Sequence, residues 1–245
     1  MDVGGGILLL HGVALRTIRY NERHDIVWLY TREAGRVSVL VSAGKGHRSS
    51  AVRAALQPLS VVEVVARRGG GVLRATDVRS SAVHHSLQCD PTKIVLSMFI
   101  AEFLSVTLPE GEADARLFSF VADVVDCLEC HRHSVANYHI AFLFGLASPL
   151  GIAPDISTYM PGRIFDMSDA SFRDSVPLHT SDWLPSDQSE MLVILSRISL
   201  RNCHRFAFSR EQRSFVLDKL LRYYTLHYRS LSTLRSLEVL RSLYD

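Results

Sequence analysis

Through the first 80 residues, apolar positions come in short runs; from residue 90 onward they recur at helical spacing. Leu8–Leu10 and Val13–Ile18 lie on either side of Gly12, and Ile26–Tyr30 is a compact run. Arg36–Ser42 alternates after the turn-like Glu33-Ala34-Gly35. Leu59–Val65 and Val72–Val78 follow, separated by Arg67-Arg68-Gly69-Gly70-Gly71. Roughly five short strands with glycine-marked turns fit a small barrel or sandwich. The stretch Ala43–Gln57, with Gly44, Lys45, Gly46, His47, Arg48 and Arg53, breaks that rhythm and reads as a long basic loop with room for a helical turn.

Beyond Asp90-Pro91, a natural helix start, Ile94, Val95, Met98 and Ala101 lead a mostly buried helix to Leu108. Glu112–His133 places Leu117, Phe118, Val121, Val124, Val125 and Leu128 on one face. Val135–Leu150 reads as a third, very apolar helix. Residues 151–187 lose periodicity, collect Pro, Gly, Asp and Ser, and suggest an irregular insert with a short hairpin around Gly162–Phe172. Helices return at Gln188–Leu200, Ser209–Tyr228 and Leu234–Tyr244, and Ser209-x-x-Gln212 has capping-box form. The pattern therefore predicts an α+β chain: a β-barrel over residues 1–80, then an all-α part over 81–245 that carries the insert.

Composition supports a folded chain, with 47% hydrophobic and 21% charged residues among 245. The net charge of +2 hides an asymmetry. Residues 1–80 carry 12 Lys and Arg against 6 Asp and Glu, residues 81–196 carry 5 against 15, and residues 197–245 carry 10 against 4. A basic N-terminal part beside an acidic middle is expected where one portion of the surface meets a polyanion. Cysteines 89, 127, 130 and 203 have no disulfide-framework spacing, which points to a reducing compartment. The opening MDVGGGILLLHG reads as a strand rather than a signal peptide, and Ile94–Leu108 is too short to span a bilayer. A cytoplasmic protein without a membrane partner is the expectation.

Candidate chemistry is thin. Gly4-Gly5-Gly6, Gly44-Lys45-Gly46 and Gly69-Gly70-Gly71 lack P-loop spacing and read as turns. Cys127, Cys130, His131 and His133 have metal-ligand residue types, but they lie along one amphipathic helix, and Cys203-His204 is not a usual second pair. The helix reading, with one cysteine buried and one semi-exposed, is preferred, so no metal is expected. Asp166, Asp169 and Asp174 lack calcium-loop spacing. No nucleophile elbow or HExxH helix occurs, and no catalytic residue or cofactor is assigned.

What remains is basic residues interleaved with an aromatic on a small barrel: Arg16, Arg19, Tyr20, Arg23, Arg32, Arg36, Lys45, Arg48 and Arg53. A cationic groove that tracks phosphates, with rings on which bases stack, is how single strands are held. Trp28 is a second stacking candidate, although its place inside an apolar run favours the core.

These residues carry a resemblance. Val13-Ala-Leu-Arg-Thr-Ile-Arg-Tyr20-x-Glu22, Asp25-Ile-Val-x-Leu-x-Thr31-x-x-x-Gly35-Arg36 and Leu56-Gln-Pro-Leu59 resemble the N-terminal barrel of the RecO family. Leu234-Arg-Ser-Leu-Glu-Val-Leu240 resembles its closing helix. Phe99-Ile-Ala-Glu-Phe-Leu104 and Ala136-Asn137-Tyr138-His139 resemble the branch found in Bacteroidetes. The resemblance implies an OB-fold domain and a helical domain, with a non-catalytic role in recombinational repair at the nucleoid. It implies binding of single- and double-stranded DNA, annealing of complementary strands, and loading of RecA, with RecR and RecF, onto strands covered by single-strand-binding protein. The acidic tail of that protein would meet the helical part, where Arg132, Arg201 and Arg205 are rim candidates by charge and position. Many relatives carry a four-cysteine zinc site in the insert, whereas Ala153–Tyr159 here has no cysteine. Two other readings stand beside this one: a protein-interaction scaffold built on the barrel, and an enzyme using the acidic insert.

Overall fold

The computed structural model describes residues 6–44, 47–69, 72–178, 180–228, 231 and 234–243, with backbone only for 47–49. Lys45, Gly46, Gly4, Gly5, Gly70, Gly71 and Tyr244, named above, lie outside the described residues. The N-terminal strands are β1 (Ile7–Arg19), β2 (His24–Thr31), β3 (Gly35–Ser42), β4 (Val61–Gly69) and β5 (Val72–Ser80), with helix α1 (His47–Ala55) between β3 and β4. They close into a barrel in the order β1-β2-β3-β5-β4, antiparallel except for a short parallel β3–β5 seam. Five strands in that order, with a helix between the third and fourth, make an OB-type barrel.

Strand alternation fills this barrel. Leu10, Ala14, Val27, Leu29, Val39, Val41, Val62, Val64 and Ala66 point inward, with Leu56 closing over them. At roughly 25 cal/mol per Å² of apolar surface, this cluster is the main source of the barrel's stability. Two bulges bend its strands. Between Ala14 and Arg16 the register slips by one against β2, so Val13, Ala14 and Leu15 are all buried in succession. Between Val65 and Ala66 a second slip leaves Thr76 unpaired, and its hydroxyl donates to the Val65 carbonyl at 3.1 Å. The two apolar runs around Gly12 are thus one 13-residue strand. A Cβ at Gly12 would sit 2.8 Å from the Tyr30 carbonyl oxygen, so glycine here permits close packing rather than a break. The segment expected to be mainly loop holds the nine-residue α1.

The residues up to Glu129, joined by Leu234–Leu240, form one compact unit; Cys130 onward forms another. Helices α2 (His85–Cys89), α3 (Pro91–Thr107) and α4 (Ala115–Cys130) follow the barrel in the first unit. The Asp90 carboxylate caps α3 by accepting from Thr92 N at 2.8 Å and Lys93 N at 3.3 Å, and Pro91 follows it. Phe99, Ile100, Phe103 and Leu104 of α3 are buried. Glu129 caps the short α2 by accepting from Ser86 N and Leu87 N, and the buried Lys93 ammonium donates to Ser86 Oγ and the Glu129 carbonyl.

The second unit contains α5 (Tyr138–Leu146), a small sheet, α6 (Ser186–Leu195) and α7 (Arg210–His227); α8 (Ser236–Leu243) closes the chain. The sheet, ordered β7-β6-β8, comprises β6 (Ile164–Asp166), β7 (Ser171–Arg173) and β8 (Trp183–Leu184). The capping box at Ser209 and Gln212 is present in full. Tyr224 of α7 donates from its hydroxyl to the Leu143 carbonyl of α5 at 2.8 Å. Helices α5 and α6 are shorter than their apolar runs suggest, because turns at Val135–Tyr138 and Leu195–Ile198 take up the ends. The chain is therefore an N-terminal OB-type barrel followed by a helical region.

Candidate nucleic-acid interface

Each basic residue of the barrel occupies a definite place. Arg16 follows the bulge of β1 on the outer face, exposed, with its guanidinium 5.6 Å from the Trp28 ring centre. Arg36 covers that ring from its own side at 5.0 Å. Trp28 is thus not core, as its apolar run suggested. Val27 and Leu29 take the inward positions, so alternation turns Trp28 outward, where it is half-buried against the two arginines. Arg36 is committed within the unit: Nε donates to the Leu108 carbonyl at 3.1 Å and Nη2 pairs with Glu110 at 3.3 Å. Only 17% of its side chain is exposed.

Arg19, Tyr20 and Arg23 cluster at the β1–β2 turn. That turn is built by Asn21, whose side-chain oxygen accepts from Arg23 N and His24 N. Arg19 lies against Asp25 at 3.5 Å and donates to the Glu22 carbonyl, while Tyr20 is 63% exposed. The Arg23 side chain is exposed and has no hydrogen bond or ion pair among the described residues. Arg32 is exposed, and its guanidinium lies 5.3 Å from the Phe118 ring centre. Arg53, in the last turn of α1, is exposed and shares with Arg16 the lining of a recess of about 300 Å³. Arg48 belongs to the same helix.

A second basic cluster has no counterpart in the sequence reading, which took Arg67 and Arg68 as part of a turn. The β4–β5 register puts Arg67 directly opposite Arg74, with Arg68 beside them. All three are exposed and none has an ion pair among the described residues. Like charges opposed across a ladder cost about 0.2–1 kcal/mol. An anion placed over the pair would relieve that repulsion.

In the second unit, Arg132, Arg201 and Arg205 are all exposed. Beside Arg205, the His133 and His204 rings stack at 4.3 Å, and the His131 ring stands edge-on to His204 at 5.4 Å. Burial, then the positive charges of His133 and Arg205, hold the His204 pKa below its ordinary value. Among the described residues, no group of three or more His, Cys, Asp or Glu is placed to hold a metal ion. Cys127 is half-buried, Cys130 exposed, and the buried cysteine is instead Cys203.

Insert 151–187, without zinc cysteines, does not fit that metal. Arginine pairs and aromatic packing hold it together. Arg173 pairs with Asp166 and Asp169, and Arg163 forks onto Asp174 at 2.8 and 3.1 Å. Phe172 packs on Tyr159 at 5.2 Å and on Phe165 at 5.0 Å. The three aspartates considered for a cation are therefore engaged by arginines.

A closed OB-type barrel with exposed arginines, followed by a helical region, is an architecture that nucleic-acid-handling proteins use. Comparison with known proteins narrows the class. Residues 8–82 match the family model described as Recombination protein O N terminal, and residues 88–238 match Recombination protein O C terminal. The DNA repair protein RecO of Porphyromonas gingivalis strain W83 is 34% identical over 246 residues, covering 98% of this chain and 100% of that one. Those of Phocaeicola vulgatus and Bacteroides fragilis are 35% and 31% identical, covering 96% of this chain and 98% of their own. The chain belongs to the RecO family of DNA repair proteins, in agreement with the resemblance read from its motifs. No helix among the described residues is long and apolar enough to cross a membrane.

Proposed function

We propose that this chain is a non-catalytic recombination mediator whose barrel binds single- and double-stranded DNA through Arg16, Arg19, Tyr20, Arg23, Lys45, Arg48 and Arg53, with Arg67, Arg68 and Arg74 on the β4–β5 hairpin. The observation that carries this reading is the opposed, unpaired Arg67–Arg74 couple, an arrangement that favours phosphate over any group of its own unit. Arg32 and Arg36 contribute field, with Arg36 chiefly structural. No base-specific element is required, because annealing must work on any sequence.

In this reading the mediator works at the nucleoid, anneals complementary strands and, with RecR and RecF, assists RecA onto strands coated by single-strand-binding protein. Arg132, Arg201 and Arg205, beside the three histidine rings, suit the acidic tail of that coating protein. The test is annealing of complementary oligonucleotides, bare and coated, at low and moderate salt. Salt-sensitive annealing that persists on coated strands is expected. Absence of both binding and annealing at low salt overturns the proposal.

A further inference from the structure

A second recess adjoins the Arg16–Arg53 recess, and its lining is of another kind. It measures about 450 Å³ and is lined by Ala54, Leu59, Leu87, Ile94 and Met98, with no Asp, Glu, Lys or Arg in its lining, although the His84 Nε2 lies 3.7 Å from Asp126. The two recesses share Gln57 and Pro58 as a common wall. Two deep polar groups line the neutral one: His84, 6% exposed, and Ser97, 3% exposed. The Nδ1 of His84 and the Oγ of Ser97 are buried without a hydrogen-bond partner among the described residues. Such groups cost roughly 1–3 kcal/mol each when left unpaired. Leu59, which also lines the cavity, is buried with φ +63, a left-handed conformation that leucine avoids. Its N–H donates to the Ala14 carbonyl at 2.8 Å, which fixes it there.

We infer that this cavity receives an unstacked base of single-stranded DNA while the adjoining backbone phosphate lies against Arg16 and Arg53. The size is that of a small-ligand site. Apolar walls suit the two faces of a base, and the exposed Gln57 and Gln88 of the lining suit its polar edge. The missing charge disfavours a carboxylate or phosphate inside the cavity and leaves that role to the arginines across Gln57-Pro58. The inference rests on the proposed DNA binding and adds where one nucleotide sits. Double-stranded DNA, with its bases stacked and paired, cannot use the cavity, so the site also favours single strands.

The experiment uses the full chain and two probes of equal length: an oligo-dT strand and a strand abasic at every position. Wild type is expected to bind oligo-dT about tenfold more tightly, the scale of one well-held base. Ala54→Leu with Ser97→Leu fills the cavity; it is expected to bring oligo-dT down to the abasic strand and leave abasic binding unchanged. Ala54→Leu alone, at an exposed position that needs no repacking, is expected to fall between and decides the matter if the double variant does not fold. Equal binding of the two probes by wild type, or a dT preference untouched by Ala54→Leu, overturns the inference and leaves the barrel's DNA binding standing. If neither probe binds, the functional reading fails with it.

Discussion

Arg67 and Arg74 face each other across the β4–β5 ladder, so Arg74→Gln relieves a repulsion inside the protein and removes one phosphate contact from the proposed site. The first effect stabilises the fold by about 0.2–1 kcal/mol, the range for like charges directly opposed on a sheet. The second follows from counterion release: one contact to a single strand contributes about 0.7 to the slope of log K against log salt. Carried over the decade between 1 M and 0.1 M salt, that slope is about fivefold in affinity at 0.1 M. Replacing both arginines by glutamine lowers the slope by about 1.4 and the affinity by about 25-fold. Arg74→Glu gains further stability by pairing with Arg67 and loses more affinity. Anisotropy of a labelled single strand over about 0.05–0.3 M salt reads the slope, and urea denaturation reads the stability. More stable protein with weaker, less salt-dependent binding is the expected signature of a site kept at a cost to the fold. A variant that is less stable and has an unchanged slope refutes the reasoning, since the arginines would then serve the hairpin alone.

Arg36→Ala is expected to behave in the opposite way, losing about 1.5–3 kcal/mol with its bonds to Leu108 and Glu110 while leaving the salt slope within error; the same two assays check it. Gly35→Ala forces a side chain onto a φ of +63 and into the Glu112 carbonyl, so the loss should exceed the ~1 kcal/mol of the backbone conformation alone, measured as a fall in the urea midpoint. The fully buried His139 has its pKa pushed down to about 3 by burial and then by Arg213. The unfolded chain takes up that proton near pH 6.5, so this contribution is whole above that pH and declines as pH falls towards 3. Near pH 5 the loss is about 2 kcal/mol, and His139→Gln should flatten the pH 7 to pH 5 difference by that amount.

The barrel was legible because apolar runs, glycine turns and the family motifs all agree, and the helices because Leu117 to Leu128 keep one face and Asp90 and Ser209 mark starts. Gly12 misled because a glycine needed for close approach to Tyr30 looks, in sequence, like a turn. Trp28 misled because Ile26–Tyr30 reads as uniformly apolar, and only the pairing with β1 and β3 shows which positions point out. The short α2 had no local signal, being held by Glu129 more than forty residues away. For the same reason the Arg67–Arg74 couple and the neutral cavity were hidden. The first is a fact of cross-strand register, and the second is assembled from α1, the chain before β4, α2 and α3.

The proposed DNA binding of the barrel is tested most directly by photo-crosslinking a single strand to the full protein and mapping the linked peptides. Crosslinks around Tyr20, along α1 and on the β4–β5 hairpin are the predicted result. Crosslinks confined to residues 130–228, with the barrel unmarked, would contradict the account.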